Sequence, residues 1–244
     1  MTIITTAAMA IVPMTIDRHR AASDIAPLLV WLSPGFPVGS YAYSHGLEWA
    51  VEAGDIRDSV SLESWIAALL AHGGPWSDAV LFALAYKAAI SDSGEKLREI
   101  AELAAALSPS RERKLETLNQ GAAFLTAVRA AWPCALLENS KLREQEVTFP
   151  VAVALSAAGH NLALLPSLEA YLIASLSNLV SAAVRLVPLG QTDGTRAVAK
   201  LVPRAKKAAR RAAGAAIEDV GGAALRSDIA SMRHETQYTR LFRS

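Results

Sequence analysis

The side chains with the widest chemical reach in this sequence are five histidines and one cysteine. His19, His45, His72, His160 and His234 are scattered, without the short spacings that gather metal ligands onto one helix or loop. His234 and Glu235 are adjacent, so on a helix they point in different directions. Cys134 follows Trp132-Pro133 and reads as a small buried hydrophobe rather than a nucleophile. One cysteine also excludes an intrachain disulfide and a multi-cysteine zinc site, which fits a reducing compartment. No Gly-x-Ser-x-Gly elbow, His-Glu-x-x-His or Cys-x-x-Cys is present. An enzyme with a small-molecule site would need polar groups converging inside the fold. The longest helical stretch offers only Asn178 and Glu169 for that. The residues alone describe a helical scaffold rather than an enzyme.

A second candidate is the loop Leu32 to Glu48. Pro34, Gly35, Pro37 and Gly39 prevent a regular element from running through it. A glycine-rich loop before a helix invites a phosphate-binding reading. Here no Lys follows Gly39, and two prolines remove N–H donors, so a P-loop is excluded. Ser40 stands where an N-cap belongs, Tyr43, Leu47, Ala50 and Val51 recur at helical spacing, and Gly54 supplies a stop.

The elements that must position these residues follow from periodicity. Asp58 opens a helix with Leu62, Trp65, Ile66 and Leu69 on one face, broken at His72-Gly73-Gly74-Pro75. Further helices follow over Asp78 to Ala88 and Glu95 to Leu107. Ser108-Pro109 marks a restart, with Ser as N-cap and Pro at the first helical position. The next helix runs from Ser110 to Trp132, and the charges Arg111 to Glu116 at its start read as a solvated face. Val147 to Leu155 partly alternates like a strand, yet Pro150 suits a helix start. Leu164 to Val187 keeps three–four spacing throughout and is nearly uncharged, as in a buried helix or a membrane span; Pro166, Glu169, Asn178 and its serines favour burial. After Pro188, Thr192 or Asp193 caps a helix that Pro203 kinks or ends. Gly194 is expected at positive φ. Lys206 to Arg211 reads as solvated. The pattern predicts an all-α fold, a single-domain bundle of about nine to ten helices.

Composition sets the outer bounds. The chain has 244 residues, is 52% hydrophobic and 19% charged, and carries a net charge of +1. That is ample material for a core and argues against an electrostatic nucleic-acid binder. Residues 1–27 lack the positive start and long apolar run of a signal peptide and read as a flexible extension. Residues 28–226 form the helical domain and 227–244 a tail. The tail mixes Met232, Tyr238, Leu241 and Phe242 with Arg233, Arg240 and Arg243, the residue types that dominate binding hot spots.

Three separated segments resemble the urease accessory protein F family. The first is Phe36-Pro37-Val38-Gly39-Ser40-Tyr41 with Ser44, Gly46, Leu47 and Glu48. The second is Val184-Arg185-Leu186 followed by Pro188-Leu189-Gly190-Gln191-Thr192-Asp193-Gly194. The third, and most specific, is Ser227 to Ser244. Arg111, Glu112 and Arg113 with Gly121 extend the likeness, and Phe149-Pro150-Val151-Ala152 is similar to the family's Tyr-Pro-Val-Ala helix opening. Thr148 stands where the family commonly has His. The resemblance implies an all-helical cytoplasmic dimer without catalysis, tightly bound cofactor, nucleic acid or membrane. It implies partners in accessory protein D (H in some organisms), the GTPase accessory protein G and apo-urease, with nickel handled by the complex. Arg233, His234, Tyr238, Arg240, Leu241, Phe242 and Arg243 are then the expected partner-binding residues. The rival reading is an all-α small-molecule enzyme or a dimeric scaffold of another system.

Overall fold

A computed structural model describes residues 25–140, 142 and 147–244. The expected extension therefore lies outside the described residues up to position 24, and Ala26 and Pro27 already belong to a helix. Among the described residues the fold is all-α, with eleven α-helices and no strand. They are α1 (Ala26–Trp31), α2 (Leu47–Glu52), α3 (Ser59–His72), α4 (Gly74–Ile90), α5 (Gly94–Ala106), α6 (Arg111–Ala131), α7 (Ala135–Asn139), α8 (Phe149–Gly159), α9 (Leu164–Leu186), α10 (Gln191–Ala213) and α11 (Leu225–His234). Single 3₁₀ turns lie at Ser40–Ala42 and Ile217–Asp219.

The centre of the bundle is α8, buried from Pro150 to Ala158 and packed against α4 and α6. This settles the ambiguous stretch in favour of helix. Pro150 occupies the first turn, where its missing N–H is not needed, and the continuous apolar run matches burial on every side. Trp31, Phe36, Phe124, Phe149 and Trp132 form a chain of edge and tilted ring contacts beside it. Around α8, α9 packs along α10, and α10 touches α3 and α4. Among the described residues α9 is the one helix long and apolar enough to cross a membrane, and half of that stretch is buried in the bundle.

Several helix starts differ from the sequence reading, each for a local reason. Ser40 caps nothing: it opens the 3₁₀ turn, and α2 begins only at Leu47, after His45 and Gly46 at positive φ. Ser110, not Ser108, caps α6, its hydroxyl accepting from Arg113 N–H at 3.2 Å. The N-cap of α10 is Gly190, and neither Thr192 nor Asp193 caps it; Asp193 sits in the first turn and pairs with Arg196 at 3.0 Å. Gly194 is inside α10, not at positive φ. A Cβ there would lie 2.8 Å from Val184 Cγ2, so the glycine answers a close approach of α10 to α9. Pro203 does not end α10. Both Pro203 and Ala199, whose carbonyl loses a donor, are exposed to water, and the helix runs on to Ala213. Asp58 and Ser61 close a capping box at α3, and Gly54 at φ 77 terminates α2, both as the sequence indicates.

Candidate functional site

Three glutamates organise the site. Glu48 comes from α2; Glu112 and Glu116 lie one turn apart on α6. All three face the C-terminal segment, which returns across the bundle after α11 packs on α2 and α6. Glu48 accepts the backbone N–H groups of Leu241 at 2.6 Å and Phe242 at 2.9 Å. Glu112 accepts from Arg240 at 2.6 Å. His234, fully buried, sits between them, its Nδ1 2.6 Å from Glu112 and its Nε2 3.3 Å from Glu48. Glu116 receives the Ser244 hydroxyl at 2.6 Å.

The rest of the segment is held as closely. The Ser244 carbonyl accepts from Ser44 N–H at 2.6 Å and from the Ser44 hydroxyl at 2.7 Å. Arg243 N–H donates to the Ala42 carbonyl at 2.9 Å. Glu235 accepts the N–H groups of Arg111 and Glu112, satisfying free donors at the start of α6. Ser110 and Ser231 share a 2.6 Å hydroxyl contact. Gly46 makes room for this: a Cβ there would sit 2.6 Å from Ser231 N. The Arg185 guanidinium lies 4.3 Å from the Phe242 ring centre and donates to the Tyr41 carbonyl at 2.9 Å, so the second segment touches both others.

The sequence segments are thus partly brought together. Glu48 meets His234, Leu241 and Phe242, Ser44 meets Ser244, and Gly46 approaches Ser231, while Tyr41 reaches Phe242 only through Arg185, and Arg240 and Arg243 bond Glu112 and Ala42. Ser40 lies at the edge, its carbonyl taking Asn178. Leu47 is core, and Phe36 joins the aromatic chain. Gly39 supplies a left-handed turn at φ 68. Gln191, Asp193 and Gly194 stand apart at the start of α10. The sequence points to residues 227–244 as a partner-binding tail separate from the helical domain, on its mix of aromatics and arginines. The structure packs it on its own bundle, and Arg240 finds Glu112 there. His234 and Phe242 face inward, whereas Tyr238, Leu241 and Arg233 remain exposed.

The charged start of α6 is a further correction. It is only partly solvated: Arg111 and Lys114 are exposed, but Glu116 is 1% exposed and pairs with both Arg113 and His45. Reading the buried face of α6 backwards from Val128 through Phe124 and Gln120 leads to Glu116 and Arg113, and that continuity was the available signal. Burial alone would raise the Glu116 carboxyl. Arg113 and His45 outweigh burial and hold it well below the usual carboxylate range. Burial raises Asp78, and burial together with the Asp78 charge lifts Tyr171 well above an ordinary phenol. Tyr171 donates to Asp78 at 3.3 Å.

These groups line a cavity of about 60 Å³, with His45, Asp78, Arg113, Glu116, Tyr171 and Asn178 on its walls. It adjoins a wider pocket of about 540 Å³ under α11, which shares His45, Asp78 and Arg113. The interior is therefore richer in converging polar groups than Asn178 and Glu169 suggested. Among the described residues no cluster of three or more His, Cys, Asp or Glu side chains is arranged to hold a metal ion. Thr148, at the commonly histidine position, is buried, and its hydroxyl has no partner among the described residues.

Fold and site together define an all-α protein whose C-terminal segment is fixed by buried carboxylates. The UreF family profile matches residues 56–202. Over 225 residues the chain is 54% identical to a protein of Xanthobacter autotrophicus named urease accessory protein UreF, covering 92% of this chain and 93% of that relative. Relatives of the same name occur in Bradyrhizobium sp., 51% identical with 89% and 90% covered, and in Methylobacterium radiotolerans, 51% identical with 91% and 98% covered. The chain belongs to the UreF family of urease accessory proteins.

Proposed function

We propose that this protein acts in urease maturation, as a chaperone subunit that works with accessory protein D/H and the GTPase accessory protein G. Together they carry out GTP-dependent insertion of nickel into the active site of apo-urease, in the cytoplasm, with this chain as a homodimer. The single observation that supports this reading is the family membership, at about half identity over nine-tenths of the chain. The role of this chain is to shape the complex and couple GTP hydrolysis to metal delivery; it supplies no GTPase chemistry and holds no nickel tightly. Its tail meets accessory protein D/H through Tyr238, Leu241, Arg233 and Arg243, which face outward, while His234, Arg240 and Phe242 hold that surface in place. The test is the nickel content and activity of urease co-expressed with the other accessory proteins, with and without this chain. Nickel-poor urease in its absence is expected; equal loading would overturn the reading.

A second reading concerns the nickel ion as cargo. The cavity walled by Asp78, Glu116 and His45, which shares His45 and Asp78 with the pocket under α11, supports passage of a divalent cation through the protein. Asp78→Ala should then lower nickel loading of urease while the complex with accessory protein D/H still assembles.

A further inference from the structure

The basic helix α10 faces a groove that nothing above employs. Within Gln191–Ala213 stand seven of the chain's 24 Lys and Arg residues, against Asp193 as the single acid. Four of them, Lys200, Arg204, Lys207 and Arg211, recur at i, i+4, i+7 and i+11 and so share one face over about 16 Å, at a rise of ~1.5 Å per residue. That face borders a groove of about 570 Å³ between α3 and α10, continued past Arg204 by a hollow of about 140 Å³. The α3 side is built of Ser64, Ala67, Ala68 and Ala71, with exposed Val60 at one end. Small residues let another backbone approach closely.

The charge of this wall is only partly met. Lys200 pairs with Glu63 at 2.8 Å, and Arg211 stacks 4.5 Å from the Trp76 ring centre. Glu169, the other nearby acid, is engaged from the far flank by Lys206 and Arg210. Arg204 and Lys207 have no carboxylate partner among the described residues. A solvated surface has no need of cations in register with a groove. Two adjacent unpaired cations beside a small-residue floor fit an anionic ligand of the same periodicity.

We propose that the α3–α10 groove is a docking surface for an acidic amphipathic α-helix of a partner protein. Carboxylates at i, i+4, i+7 and i+11 on that helix meet the four cations, and its small or apolar face lies on Ala67, Ala68 and Ala71 toward Val60. A nucleic acid is disfavoured by the net charge of +1 and by a wall of only about 16 Å. A lipid surface is flat, whereas this site is concave. The inference stands independently of the urease reading.

The experiment measures binding of the full chain to a labelled helical peptide carrying glutamates at those four spacings, by fluorescence anisotropy at low and high salt. The comparison probes are a peptide of the same composition with its glutamates scattered round the helix, vesicles of phosphatidylglycerol and a DNA duplex. Saturable, salt-sensitive binding of the patterned peptide is expected. Arg204→Glu with Lys207→Glu should weaken it on the order of tenfold or more, and Lys96→Glu with Arg98→Glu on α5 should leave it unchanged. Both variants alter exposed side chains, and circular dichroism checks their fold. Equal binding of the scattered peptide, tighter binding of vesicles or DNA, or an unaltered affinity in the α10 variant would each overturn the proposal.

Discussion

Glu116 is the residue on which most of the buried charge depends. It neutralises Arg113, meets His45 and receives Ser244. Removing one partner of a buried ion pair leaves the other uncompensated, so Glu116→Gln should cost about 3–5 kcal/mol in urea unfolding. The same carboxylate gives a pH dependence. Its folded pKa is depressed below the ordinary 4.5, so its stabilisation is present above that pH and lost as pH falls below it. Asp78 runs oppositely: raised from 3.8, it favours the fold most below that value and less as pH climbs through its folded pKa. The Glu116 contribution should therefore appear as a fall in the urea midpoint as pH drops below about 4.5, and Glu116→Gln should flatten that fall. Gly194 makes a steric prediction. Gly194→Val forces side-chain atoms into Val184 and Val180 and should destabilise by about 1–3 kcal/mol; an unchanged melting temperature would contradict the close α9–α10 packing.

At the scale of elements, the tail behaves as a twelfth piece of the core rather than an appendage. Deleting the chain after Ala230 strips Glu48, Glu112 and Glu116 of their tail partners and uncovers Ser44. The sequence sets residues 227–244 apart from the helical domain of 28–226. The structure predicts a marked fall in thermal stability, measured by calorimetry. Helices with long apolar stripes, α3, α4 and α9, were legible because periodicity and breakers agree there. The starts of α6 and α10 were misread because several capping residues stand side by side, and only the tertiary partner decides among them. The segments that form the site were visible as unusual local sequence. The pairing of Glu112 and Glu116 with the tail is not legible there, because His234, Arg240 and Ser244 lie more than a hundred residues away, and a charge run without its partners looks solvated.

For the whole molecule, the distribution of polarity matters more than its amount. An overall charge of +1 hides a carboxylate-rich junction beneath the tail and a basic wall on α10. The first holds the C-terminal segment, whose outward face the proposed role offers to accessory protein D/H; the second lies elsewhere on the bundle. Tyr238→Ala should therefore weaken capture of accessory protein D/H, read in pull-down, without lowering the melting temperature, since that side chain is fully exposed. His234→Ala should lower both, since it removes a buried group between two carboxylates.

The central claim is that the C-terminal segment is part of the folded protein before any partner arrives. Amide hydrogen exchange on the isolated chain tests it most directly. The N–H groups of Leu241, Phe242 and Arg243 are bonded to Glu48 and Ala42, so they should exchange far more slowly than an unstructured peptide, and Glu48→Ala should release the first two. Exchange of all three at the unstructured rate in the unaltered protein would contradict the account.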